Sequence, residues 1–73
     1  MAREIIESHM PGIIRNIGVA VGDQVKEGDT LCLLEAMKME NPIVAPIGGR
    51  IVEMNVSDGQ AVKRGYALFA IEV

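Results

Sequence analysis

Lys38 stands between two methionines and is boxed by acids in the stretch Glu35-Ala36-Met37-Lys38-Met39-Glu40. The amine of such a lysine is either one more solvated charge or a nitrogen kept for nucleophilic or covalent use. The rest of the chain offers little competition for a chemical role. Its single histidine, His9, has no partner of the kind that a triad or a metal site needs, and reads as a surface residue. Cys32, the one cysteine, lies in Leu31-Cys32-Leu33-Leu34. There it reads as a buried packing thiol rather than a nucleophile, and it has no partner for an internal disulfide. With no Ser/His/Asp or Cys/His arrangement, no metal-ligand spacing and no phosphate-binding glycine loop, the chain is not expected to be a catalyst on its own.

Composition narrows the setting of that lysine. At 73 residues the chain makes one small domain, which would bury only about 60% of its unfolded surface and has no room for a large cleft. One Phe, one Tyr and no Trp leave Ile, Val, Leu and Met to fill the core. Branched aliphatics between many glycines favour sheet. A net charge of -3, with Lys and Arg scattered and no basic run longer than Lys63-Arg64, leaves no footprint for nucleic acid. No apolar run approaches the ~18 residues that span a bilayer, so direct membrane insertion is not expected. The opening MAREIIESHM lacks the apolar core of a signal peptide, so the expected location is the cytoplasm.

Lys38 is positioned by an internal repeat. An ungapped shift that carries Gly22 onto Gly59 aligns GDQVKEGDTLCLLE with GQAVKRGYALFAIE, matching Val25 with Val62, Lys26 with Lys63, Gly28 with Gly65, Leu31 with Leu68 and Glu35 with Glu72. Upstream, the same shift pairs Gly12 with Gly49, Ile14 with Ile51 and Val19 with Val56. The single domain 1–73 therefore consists of two copies of one unit, about 1–36 and 38–73, which meet at the lysine. No stretch has helix periodicity. Expected strands run over Glu4 to Ser8, Ile13 to Val21, Thr30 to Ala36, Met39 to Ala45, Arg50 to Val56 and Ala67 to Val73. Val25 and Val62, alone between turns, are expected to peg into the core. Two halves too small to bury their own apolar faces would pack about an approximate two-fold axis. The expected fold is all-β, a flattened barrel-sandwich of two short-stranded antiparallel sheets. In it, the hairpin around Lys38 has as its mate the paired terminal strands, and the termini lie opposite Lys38.

The turn at Met37-Lys38 has about two residues, where hairpins favour Asn-Gly or Asp-Gly because the central residues take positive φ. Met and Lys suit such a bend poorly. Function commonly overrides local preference in this way, which marks Lys38 as a functional candidate. A rival turn over Glu40-Asn41-Pro42 would instead put Lys38 in a strand. Pro42 lacks a ladder donor, which an edge strand tolerates. Met37 and Met39 gain nothing in folding if exposed, yet would give a partner a soft apolar surface. The plainer alternative is that one of them tucks back onto the sheet.

The motif Ala36-Met37-Lys38-Met39, about halfway along the chain, resembles the attachment motif of the biotin carboxyl carrier (biotinyl/lipoyl) domains of biotin-dependent carboxylases, decarboxylases and transcarboxylases. The resemblance extends from about Ile6 to Val73. Pro11, Gly12, Gly28, Ala45 and Pro46 match turn positions of the family, whereas His9 stands where a proline is common. The resemblance implies a carrier whose Lys38 is biotinylated through its side-chain nitrogen, with Ala36, Met37 and Met39 as the flanks read by partner enzymes. It implies a biotin protein ligase as one partner, and biotin carboxylase with carboxyltransferase or decarboxylase components as others.

On this view Lys38 roots a tether whose ring accepts a carboxyl group at one site and yields it at another. On the same view the ligase takes the proton that the lysine amine gives up as it forms the amide. Glu35, whose mate Glu72 is far from the bend, reads as structural or solvating. The stretch between Ile17 and Val25 has no room for the protruding thumb of the acetyl-CoA carboxylase carriers of bacteria. That favours the thumbless carriers of pyruvate, propionyl-CoA or oxaloacetate-type systems and leaves the particular carboxylase open. Two other readings use the same fold: a lipoyl carrier, whose usual Asp-Lys-Ala motif is absent, and an unmodified interaction module.

Overall fold

A computed structural model describes residues 2–73. They form eight strands: β1 (Arg3–Glu7), β2 (Gly12–Arg15), β3 (Gln24–Val25), β4 (Thr30–Ala36), β5 (Met39–Val44), β6 (Gly49–Met54), β7 (Ala61–Val62) and β8 (Ala67–Glu72). All pairings are antiparallel, in two four-stranded sheets ordered β1-β8-β6-β3 and β5-β4-β2-β7. The repeat shift carries β1 to β4 onto β5 to β8 respectively and turns one sheet order into the other. The all-β fold and its internal two-fold are therefore as expected.

Each sheet takes two strands from each half, so neither half has a sheet of its own. The turn glycines fasten one half to the other in matched pairs. Gly22 N–H donates to the Ile51 carbonyl at 2.8 Å and Gly59 N–H to the Ile14 carbonyl at 2.7 Å. Gly28 N–H likewise donates to Ala45, and Gly65 N–H to Ser8, both at 2.8 Å. A third matched pair explains why glycine opens β2 and β6. A Cβ on Gly12 would lie 2.6 Å from the Glu35 carbonyl oxygen, and a Cβ on Gly49 would lie 2.6 Å from that of Glu72. Only a residue without Cβ lets β2 approach β4, and β6 approach β8, so closely.

The core between the sheets is aliphatic apart from Phe69 and the Cys32 thiol, and no side chain in it exceeds 8% exposure. Val25 and Val62 are both 5% exposed and sit in the two-residue strands β3 and β7, so they do act as equivalent pegs. The expectation of one strand over Ile13 to Val21 is corrected. β2 ends at Arg15 because Asn16 turns left-handed at φ 50°. Beyond it, Gly18 N–H donates to the Leu31 carbonyl at 3.0 Å, and Ile17 N–H donates to the Asp58 carboxylate at 3.1 Å. The alternating Ile17 and Val19 pack against the core from an irregular segment. This segment is no longer than its mate before Val62, so no extra protrusion is inserted. The mate strand is likewise shorter than Arg50 to Val56, since β6 stops at Met54. The terminal strands pair as the repeat requires: Arg3 faces Glu72, and Val73 N–H donates to the Ala2 carbonyl at 3.0 Å.

Candidate functional site

Strands β4 and β5 form a hairpin whose register closes on Ala36 opposite Met39, leaving Met37 and Lys38 as a two-residue bend. Both take left-handed backbone, φ 54° at Met37 and φ 65° at Lys38. For residues with a Cβ this conformation costs roughly 1–2 kcal/mol each. The rival turn is excluded, because Glu40, Asn41 and Pro42 lie within β5, opposite Glu35, Leu34 and Leu33. Pro42 sits as expected on an edge strand, where its missing N–H breaks no ladder bond. Asn41 Nδ2 donates back to the Leu34 carbonyl at 3.3 Å and helps tie the two strands below the bend.

Lys38 is exposed and, among the described residues, forms no ion pair. Met37 is 91% exposed and Met39 64%, so neither tucks back onto the sheet. Ala36 is half-buried at the base of the bend. The four residues of the motif are thus together, with the amine free at the tip and two flexible thioethers beside it. Cys32 is far from such a role: it is wholly buried, and burial, aided by the negative charge of Asp58, raises its thiol from 9.0 to about 11. A thiol so held is inert. His9 is exposed, as expected.

Two features near the bend escaped the sequence reading. Glu35 and Glu40 face each other across β4 and β5, a like-charge pair next to the bend, and Arg15 Nε donates to Glu35 Oε1 at 2.9 Å. Glu35 is therefore ion-paired as well as solvated. The second is a shallow groove between the edges of β1 and β5, lined by Ile5, Glu7, His9, Pro42, Val44 and Pro46 among others. The repeat shift would have found it, because it carries Ile5 onto Pro42, Glu7 onto Val44 and His9 onto Pro46, so the groove lies where the two halves face each other.

The bend projects into solvent, with Met37 91% exposed beside the amine. The groove begins four residues away at Pro42, about 13 Å along a strand. A free amine at a projecting tip is chemically suited to covalent attachment. Fold and bend together define the class: a small all-β domain that holds one lysine at the exposed tip of a hairpin.

The family model described as "Biotin-requiring enzyme" matches residues 2–71, and the chain belongs to that family. The biotin carboxyl carrier protein of acetyl-CoA carboxylase from Pyropia yezoensis is 47% identical, a match covering 88% of this chain and 40% of that protein. The biotin carboxyl carrier protein of Streptococcus mutans is 46% identical over 96% of this chain and 54% of its own length. Among solved structures, the urea carboxylase of Kluyveromyces lactis superposes with a TM-score of 0.89 at 29% identity, over 99% of this chain and 6% of that one. The chain thus spans about half the length, or less, of the curated relatives it matches. The expected fold and family stand, and so does biotin as the cofactor that defines the family.

Proposed function

We propose that Lys38 is the residue that holds biotin, and that the domain carries a carboxyl group between the sites of a larger carboxylase. The observation that carries this reading is the bend itself: two left-handed, poorly suited residues place one unpaired amine at the exposed tip of a rigid hairpin. The names of the relatives support it, as does family membership over nearly the whole chain.

Lys38 Nζ, once stripped of a proton by a ligase, attacks the activated carboxyl of biotin. A C–N bond forms and the activating group leaves. The new amide removes the lysine's charge and lengthens its side chain into a tether. Bound there, biotin supplies a ureido nitrogen that takes up a carboxyl group at one active site and releases it at another. The hairpin's contribution is placement. β4 and β5 hold the bend stiff, while Met37 and Met39 offer an apolar lip that adapts to more than one partner. Tethering substitutes a high effective concentration at both sites for free diffusion.

The partners that fit this role are a biotin protein ligase, a biotin carboxylase, and a carboxyltransferase or decarboxylase component, in a cytoplasmic setting. The test is an intact mass and a streptavidin blot after incubation with ligase, biotin and ATP. Wild type should gain one biotin, and Lys38→Arg should gain none while keeping its melting midpoint. Unmodified wild type, or a labelled Lys38→Arg, would refute the assignment.

A further inference from the structure

We infer that β1 is a docking edge for a second copy of this chain, the two β1 strands pairing antiparallel about a two-fold axis at Ile5. Of the four strands that end the two sheets, β3 and β7 are only two residues long, which blunts them. β5 is blunted by Pro42. Its hairpin register leaves the backbone of Glu40, Pro42 and Val44 facing outward, and Pro42 has no N–H to offer there. β1, of five residues, has no such device.

The bonding of β1 to β8 shows which of its groups are free. Val73 N–H donates to the Ala2 carbonyl and Ser8 N–H to the Tyr66 carbonyl, so Ala2 and Ser8 face β8. Alternation along an antiparallel ladder turns Glu4 and Ile6 toward β8 as well, and leaves the N–H and C=O of Arg3, Ile5 and Glu7 pointing away from it. The register does slip between Ile6 and Glu7. Their partners are Phe69 and Ala67, however, so the extra residue is Leu68 in β8, and β1 itself carries no bulge. In the repeat, Ile5 is the mate of Pro42. One edge has a free donor where the other has a proline.

The side chains of β1 select the occupant. With Ile5 opposite its own copy, Arg3 falls opposite Glu7 of the second copy, and the two-fold repeats that pair. An aliphatic pair at the centre is thus flanked by two pairs of opposite charge, each favourable across strands. Glu7 forms no ion pair among the described residues. Arg3 already meets Glu53 and Glu72, but its side chain is 47% exposed and has further N–H donors. A register centred on Glu4 would set that acid against itself and leave Glu7 unmatched. β5 offers no equivalent match, since centring it on Pro42 sets Glu40 opposite Val44. Ile5, 44% exposed, and Glu7 also line the groove beside β5, so the added strand covers apolar surface that a lone copy leaves in water.

The pairing leaves both bends free. Joined β1 strands run in opposite directions, and Lys38 lies at the end of the domain away from the terminal strands. The two amines therefore point away from each other.

A contact of one strand a side is at the small end of specific interfaces, so association is weak. The test is sedimentation equilibrium of the whole chain from about 10 µM to about 1 mM, a span that brackets weak dimers. The average mass should climb toward twice that of the chain, and less steeply in high salt. Ile5→Lys sets two ammonium groups face to face and should raise the dissociation constant about tenfold or more. Glu7→Arg and Arg3→Glu should each stay monomeric alone, because like charges then meet. Mixed with each other they should associate, because every charged pair across the mixed dimer is opposite. Melting midpoints of the dilute variants report whether each is folded, and the mixing result does not depend on Ile5→Lys.

A wild-type chain that stays monomeric at the highest concentration would overturn the inference. So would association that survives Ile5→Lys, which would place the contact on another surface, or folded charge variants that ignore each other on mixing. None of these readouts depends on biotin at Lys38.

Discussion

The hairpin of β4 and β5 and the paired terminal strands β8 and β1 occupy equivalent places in the two halves, yet they differ in charge and in backbone. At the terminal end, the residue facing Glu72 is Arg3, which pairs with it at 3.6 Å and with Glu53 at 3.3 Å. At the bend, the equivalent position holds Glu40, opposite Glu35. One cross-strand pair is favourable and the other is not. The bend then adds two left-handed residues that carry side chains, while the terminal end has no turn to close. The same architecture is thus optimised at one end and left strained at the other. The strain surrounds the one lysine that the fold presents at a tip.

That comparison can be broken at the level of the scaffold first. If the halves are equivalent in packing, Gly12→Ala and Gly49→Ala should be equally damaging, because each new Cβ would meet a backbone carbonyl oxygen at 2.6 Å. Denaturant unfolding should show a loss of about 3 kcal/mol or more for each, in the range of severe single substitutions. A large loss at one glycine and none at the other would show that the repeat is not mechanically symmetric.

A difference between the halves lies in the core, where Cys32 in β4 corresponds to Phe69 in β8 and both are fully buried. Below pH 9.0 folded and unfolded chains both keep the thiol proton, and this contribution to stability is whole. Between 9.0 and about 11 the unfolded chain releases the proton while the folded chain retains it, so stability falls as pH rises. The loss should reach about 2–3 kcal/mol once both forms have ionised. Cys32→Val should lack this component when its stability is followed across the same pH range. Identical alkaline slopes for the two proteins would contradict the effect.

At the bend, Met37→Asn with Lys38→Gly supplies the residues that such a turn prefers. The account predicts a gain of about 2 kcal/mol in unfolding free energy, from relief of left-handed strain, together with loss of biotin attachment. A neutral or negative effect on stability would mean that the bend is not strained. A smaller change sharpens the electrostatic half of the comparison: Glu40→Arg makes the bend resemble the terminal end. It should stabilise by about 0.5 kcal/mol, typical of an exposed pair, with the gain shrinking in high salt.

Much of this was legible in the sequence because the repeat is ungapped. Once Gly22 is laid on Gly59, strand pairing, the two valine pegs and the bend at Met37 and Lys38 follow from the register alone. The limits of β2 were not legible for a physical reason. Ile17, Val19 and Val21 alternate as a strand would, yet Asp58, distant in sequence, captures the Ile17 N–H and Asn16 turns the chain away. The facing of Glu35 and Glu40 was open to view once the two-residue bend was assumed. The Arg15–Glu35 pair was not, because it depends on how β2 lies across β4. The motif residues gather as expected because four consecutive positions at a hairpin tip need no long-range folding to meet.

The central claim is that presentation at the bend, more than local sequence, makes Lys38 the target. Peptide mapping of ligase-treated protein tests it on wild type and on Met37→Lys with Lys38→Met, which moves the amine by one position within the same flanks. A one-residue move at a two-residue hairpin points the side chain elsewhere. The account predicts biotin on the peptide Ala36 to Glu40 in wild type, and none on the shifted variant. Equal labelling of the shifted lysine, or biotin on Lys26 or Lys63 in wild type, would contradict it.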